Sequence, residues 1–198
     1  FLMAVTVSTE LVYNAKLIMT LDGGVEHFTQ YAEDEMKLIG QLQQQDGGFY
    51  RINQTSTRDV DGNKLTANYN EGIAYNYKSI SGYTSDPDRN QLLFMKQMGY
   101  AICGDVMNVV NTSVLGADSI LGVKYVLSSY DIPRLKKLEN IEPGNGKSVY
   151  YNPYALPVAF TYESSNMLPD SEEKDEFLYQ NQLFSYLSGQ NVQVNKRI

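Results

Sequence analysis

The side chains most able to do chemistry lie in two places. Arg51 sits in the run Gly48-Phe49-Tyr50-Arg51-Ile52. Alternation along a strand puts Tyr50 and Ile52 on one face, with Phe49 and Arg51 on the other. An arginine among aromatic residues in a strand either pairs with a buried carboxylate or faces a ligand anion. The second place is the stretch Tyr69 to Ser85, with Asn68 just before it. Tyr69, Tyr75, Tyr77 and Tyr83 alternate there with Asn70, Asn76, Ser79 and Ser81. Tyrosine rings offer apolar faces on which a sugar stacks, and amides and hydroxyls supply directional hydrogen bonds at its rim. The candidate ligand-binding residues are therefore Arg51, Tyr75, Asn76, Tyr77, Ser79 and Tyr83. The competing reading is a loop that plugs the end of a sheet, its tyrosines hydrogen-bonded inward.

No pattern points to catalysis. The carboxylate pairs Glu33/Glu35, Asp86/Asp88, Glu172/Glu173 and Asp175/Glu176 fall at helix starts or on solvated helix faces, where the helix dipole and water account for them. None is flanked by the apolar residues that would raise a pKa for acid-base work. His27 has no second His or Cys at metal-ligand spacing. Asp59-Val60-Asp61-Gly62-Asn63 has some oxygen ligands of a calcium loop but lacks its full spacing and its terminal glutamate, and reads as a turn. Cys103 has no cationic neighbour and reads as an apolar core thiol. Phosphate-loop, nucleophile-elbow and dinucleotide glycine motifs are absent. The reading is no catalytic residue, no metal and no cofactor.

The elements that must position these residues are legible as pattern. A helix over Val25–Gln45 carries Phe28, Ala32, Met36, Ile39 and Gln43 on one face, with Leu42 beside it. Glu33, Asp34, Glu35 and Lys37 are expected on its solvated side. Asp86-Pro87-Asp88 starts a helix that buries Leu92, Leu93 and Met95 or Met98 and stops at Gly99. Asn108 to Asn111 reads as an edge strand. Gly122 ends a short amphipathic turn, and the β-branched and aromatic run Val123–Leu127 follows as a strand. Asp131 to Lys147 reads as a charged loop ending in the turn Pro143-Gly144-Asn145-Gly146. Asp170 and Glu173 have capping-box spacing for a last helix over 171–188, with Phe177, Gln180, Phe184 and Leu187 inward and Gly189 at its end. The expected fold is α+β, one central mixed β-sheet with packed helices. Strands near 49–53, 123–128, 148–152 and 157–163 should share the sheet.

The chain has 198 residues, enough to bury a good core, and its charged fraction of 20% is that of an ordinary globular protein. A net charge of -7 argues against nucleic acid and against a basic patch for anionic lipid. Arg134, Lys136 and Lys137 are the nearest approach to such a patch and read as a solvated face. One cysteine rules out an intrachain disulfide. Phe1 to Leu21 is apolar, but Glu10, Asn14 and Lys16 make it a poor membrane span. Its first residues, Phe1 to Val7, should pack as a helix end or meet another copy.

Ile120-Leu121-Gly122-Val123-Lys124-Tyr125-Val126-Leu127-Ser128, followed by Asn152-Pro153-Tyr154-Ala155-Leu156-Pro157 and Ala159-Phe160, resembles the YfhO family of bacterial polytopic membrane proteins. Gly48-Phe49-Tyr50-Arg51-Ile52, Ser79-Ile80-Ser81-Gly82-Tyr83-Thr84-Ser85, and Phe177, Gln180, Asn181 and Gly189 match further segments in order, from about Glu10 to Gly189. The family is similar to glycosyltransferases that use polyprenyl-phosphate sugars, and its members are associated with glycosylation of cell-surface polymers such as lipoteichoic acid. The resemblance implies a Gram-positive cell membrane protein. Residues 1–22 would be the end of a membrane-proximal helix and linker, 23–190 an extracytoplasmic domain, and 191–198 the start of a next segment. The family's catalytic acids would lie outside this chain, in a parent that would be the enzyme. The expected role is non-catalytic help in acceptor binding, with the protein's own transmembrane region and a polyprenyl-linked sugar or cell-surface glycopolymer as partners. A structural or assembly domain with no ligand of its own is the alternative.

Overall fold

The computed structural model of the chain describes residues 2–21, 25–55, 70–100, 107–109, 112–163, 169–170 and 175–194. Its centre is the strand β4, whose β-branched and aromatic residues suit a pleated, buried surface. In chain order the elements are α1 (Leu2–Leu21), α2 (Val25–Gln45), β1 (Arg51–Gln54), α3 (Glu71–Ala74), β2 (Gly82–Thr84), α4 (Arg89–Gln97), β3 (Met107–Val109), α5 (Leu115–Ile120), β4 (Val123–Ser128), β5 (Lys136–Lys137), β6 (Ser148–Tyr151) and α6 (Glu176–Ser188). The main sheet runs β1-β4-β6-β5, while β2 and β3 form a separate pair. β1 lies parallel to β4, and β6 is antiparallel to both β4 and β5, so the sheet is mixed and the class is α+β as expected.

Both faces of β4 are covered. On one face Ile52, Tyr125, Leu127 and Val149 pack against Leu38, Ile39 and Leu42 of α2. A second cluster joins Met95 and Met98, Tyr100, Ala117 of α5 and Tyr179 of α6. Val123 and Val126 are also fully buried.

Several expectations are corrected. Residues 157–163 form no strand; the fourth strand is β5, inside the stretch expected as a charged loop. Pro153 and Pro157 bracket the chain after β6 and cannot donate to a ladder, which fits its leaving the sheet. The buried stripe of α2 is rotated from the expected one. Glu35, Leu38, Ile39 and Leu42 face inward, whereas Met36 and Gln43 are exposed. Burying a lone carboxylate is costly, and Glu35 is buried because it meets Lys147 from far along the chain. Helix α6 begins at Asp175 rather than Asp170, with the Asp175 carboxylate accepting from the N–H groups of Phe177 and Leu178. Phe177 is largely exposed, and Tyr179 and Gln180 are the buried pair. The expected packing of the first residues is not found: α1 is helical, but Met3 to Ile18 are exposed. Among the described residues no helix is long and apolar enough to cross a membrane.

The Asp59–Asn63 turn, Cys103, Glu172 and Glu173, and the side chain of His27 lie outside the described residues. No group of three or more metal-binding side chains occurs among the described ones.

Candidate functional site

The turn from α3 into β2 and the start of β1 wall a cleft of about 480 Å³. Its local geometry is tight: a Cβ on Gly72 would lie 2.8 Å from the Tyr77 carbonyl and 2.9 Å from Ser79 Cβ. The chain therefore folds back on itself here, and Ile52 N–H donates to Lys78 O beside β1. Arg51, Tyr77, Ser79 and Tyr83 all line the cleft, with Asn70, Ser81 and Gln91 among the other polar lining residues. No carboxylate occurs among its described lining residues.

The candidate residues divide. Of the two expectations for Arg51, the carboxylate partner is not found: its Nη1 donates to the Leu121 carbonyl at 2.5 Å, holding the end of α5, and it has no ion pair among the described residues. Tyr83 is 44% exposed, and its backbone N–H donates to Asn70 Oδ1. The Ser79 hydroxyl accepts from Ser81 N–H at 2.9 Å. Tyr77 is only 8% exposed, and its hydroxyl accepts from Gln54 Nε2. Tyr75 and Asn76 are not brought into the cleft. Tyr75 is half-buried and turns to Tyr31, ring centroids 6.5 Å apart. Asn76 sits at φ +55, and its carbonyl accepts from Gln43 Nε2.

Behind Tyr77 is a buried polar network that pattern reasoning missed. The Lys147 ammonium, 2% exposed, lies 2.7 Å from Glu35 Oε2 and donates to Gln54 Oε1 at 2.7 Å and Tyr31 Oη at 3.2 Å. It also stands over the Tyr31 ring, 5.2 Å from the centroid. Gln54 Nε2 donates to Glu71 Oε2 at 2.9 Å, and Tyr31 donates to Glu71 Oε1 at 3.0 Å. Asn145 Nδ2 donates to Glu35 Oε2, while Glu35 Oε1 is buried with no hydrogen-bond partner among the described residues. Burial pushes the Glu71 carboxyl upward, against the pull of Lys147 and of the hydrogen bonds from Gln54 and Tyr31. Burial likewise raises Tyr77, helped by the negative charge of Glu71.

The signal for Lys147 was present in the turn before it. Asn145 and Gly146 both have positive φ, and the N–H and carbonyl groups of Gly144 and Lys147 exchange hydrogen bonds around them. That is a two-residue hairpin, for which Asn-Gly is the favoured pair. It fixes the direction in which Lys147 enters the sheet.

A second network occupies the opposite face. The Asp118 carboxylate, almost fully buried, accepts from Tyr100 Oη at 2.6 Å, Asn53 Nδ2 at 3.1 Å and the Ser113 hydroxyl. Burial pushes its pKa up to about 6, with the hydrogen bonds from Ser113, Tyr100 and Asn53 opposing. These sealed groups hold the walls of the cleft; the open surface belongs to Arg51, Ser79 and Tyr83.

Fold and cleft together define an α+β domain built on a small mixed sheet, with a cleft beside its first strand whose described lining carries Arg51 and no carboxylate. The family described as "Bacterial membrane protein YfhO" matches over residues 1–197, so the chain belongs to the YfhO family of bacterial membrane proteins. No curated protein and no solved structure matches it.

Proposed function

We propose that this chain is a non-catalytic, extracytoplasmic domain of a polytopic membrane protein, and that its cleft holds part of a saccharide acceptor. The observation that carries this reading is the grouping of Arg51, Ser79 and Tyr83 around one open cavity with no acid among its described lining residues. An exposed ring beside fixed hydroxyls and amides suits a sugar. The likeness of the family to polyprenyl-phosphate-sugar glycosyltransferases supports a role in glycosylating a cell-surface polymer of the lipoteichoic acid type. The reacting acids and the lipid-linked donor would then belong to other parts of the protein.

The test is Tyr83→Ala and Arg51→Gln in the full-length protein, scored by glycosylation of the surface polymer and by protein level. Glycosylation lost at unchanged protein level supports the reading. Full glycosylation in both variants overturns it. A purely structural domain is the second reading, favoured by the inward turn of Tyr75 and Tyr77 and by the bond from Arg51 to Leu121. It requires Tyr83→Ala to be silent.

A further inference from the structure

A larger groove, about 780 Å³, lies between α5, α6 and the segment after β6. Leu115, Ile120, Leu156, Phe160, Phe184 and Leu187 supply much of its wall. Its volume is within the roughly 300–1,000 Å³ typical of small-ligand sites. Among the described lining residues one carries a charge, Arg134, and none is an acid, although acids outnumber bases 23 to 16 in the chain.

The backbone at Arg134 is also informative. Pro133 and Arg134 are the central residues of a turn closed by Leu135 N–H to Ile132 O, and Arg134 sits at φ +72. Glycine or asparagine takes that position at less cost. Arg134 is exposed to solvent, as the sequence suggests, and the left-handed turn sets it at the mouth of the apolar groove. The exposed Lys136 follows in β5, paired with Tyr151, three residues before Tyr154 of the groove wall. Asp131, the nearest acid before the turn, accepts the Tyr150 hydroxyl at 2.7 Å.

We propose that this groove binds a single aliphatic chain ended by one anionic group, of the fatty-acid or alkyl-phosphate kind. The apolar walls take the hydrocarbon, because removing it from water is the dominant gain. The guanidinium takes the phosphate or carboxylate through charge-assisted hydrogen bonds. A sugar suits these walls less: of the hydroxyls there, Ser119 already donates to Leu115 O and accepts from Asn152 Nδ2, and those of Tyr162 and Ser188 are bonded to the Tyr186 hydroxyl and Ser185 O. Arg134 is the one cation among the described lining residues, which suits a single anionic group rather than a polyanion. The site is separate from the Arg51 cleft, and the proposal stands without the saccharide reading.

Isothermal titration of the full chain with dodecyl phosphate, laurate, dodecyl maltoside and inorganic phosphate, below micelle concentrations, tests it. Dodecyl phosphate and laurate are expected to bind one to one, with the stronger of the two naming the headgroup. Dodecyl maltoside should bind at least about tenfold more weakly, and inorganic phosphate not at all. Arg134→Gln should weaken both anionic amphiphiles about tenfold at unchanged melting temperature. Leu156→Asp should abolish binding; Val194→Asp, at the exposed rim, replaces it if that variant fails to fold. Equal affinity for the maltoside, unchanged affinity in Arg134→Gln, or no binding to the unaltered chain overturns the proposal. So does a dimer in sedimentation that Leu156→Asp dissociates, because the groove's occupant is then a second copy.

Discussion

Asn53 and Gln54 are consecutive residues of β1, and their side chains reach different buried carboxylates, Asp118 and Glu71. Strand alternation sends them to opposite faces of the sheet. Asn53 Oδ1 also accepts from the Gln54 N–H, and Ser81 donates to it. A one-residue slip of β1 would exchange the two amides and leave both carboxylates without their donor. The register of the parallel pair is thus fixed by polar groups as well as by Ile52 and Val126.

The first prediction concerns the Lys147–Glu35 pair. Removing one member of a sealed pair strands the other charge, at a cost of about 3–5 kcal/mol. Lys147→Met should be the more damaging change, since it leaves Glu35 and Glu71 facing each other across Gln54. The double variant Glu35→Leu/Lys147→Met should lose less than the sum of the singles, because Glu35 and its unpaired Oε1 are gone and the remaining acid, Glu71, keeps its hydrogen bonds from Gln54 and Tyr31. Urea denaturation of the four proteins measures this, and additive losses would refute it.

The second prediction is a pH dependence. Asp118 rises from its ordinary 3.8 to about 6 on folding. The folded state therefore holds this proton more tightly, so the contribution is full below about pH 4 and is lost as pH rises through 6. The difference is on the order of 3 kcal/mol. Glu71 shifts in the same direction; Asp46 is shifted the opposite way, its desolvation outweighed by hydrogen bonds from Lys124, Gly48 and Tyr125. Comparison with Asp118→Asn isolates the site. The deficit of this variant relative to the parent should be larger at pH 4 than at pH 7 by about that amount. Parallel unfolding free energies at the two pH values would show that Asp118 does not carry the effect.

The sheet was legible in the sequence because β4 announces itself: Gly122 stops a helix and Val123–Leu127 is β-branched and aromatic. The ends of α4 at Asp88 and Gly99 followed from capping rules for the same reason, that the chemistry is local. The polar core was not legible. A glutamate in the first half of α2 looks solvated until Lys147, more than a hundred residues later, is known to meet it. The cleft was half legible. Tyr77 and Tyr83 are both tyrosines of one loop, and only the closure of α3 on Ser79 decides which ring is sealed.

Gly122 gives the third prediction. Its φ of +71 is costly for any residue with a Cβ, and that atom would press on Val158 Cγ2 and on the Leu156 carbonyl. Left-handed strain alone is about 1–2 kcal/mol. Gly122→Ala should therefore destabilise the chain by at least that, and more where the backbone oxygen cannot move. A change under half a kcal/mol in chemical denaturation would mean that the segment after β6 shifts freely, which would also loosen the groove wall at Leu156.

The last prediction separates structure from recognition within one loop. Tyr77 belongs to the core and to the Gln54 network, so Tyr77→Ala should cost about 3–5 kcal/mol. Tyr77→Phe removes only the hydroxyl that accepts from Gln54, and should cost about 1 kcal/mol. Tyr83 is the exposed central residue of β2, so Tyr83→Ala should stay within about 0.5 kcal/mol. Any effect of Tyr83→Ala on saccharide binding then cannot come from unfolding. The informative comparison is a thermal melt of all three variants beside saccharide titration of the full chain. A stable Tyr83→Ala that no longer binds assigns the ring to the ligand. A strongly destabilised Tyr83→Ala makes it a structural residue, and the cleft loses the one exposed aromatic ring among its described lining residues.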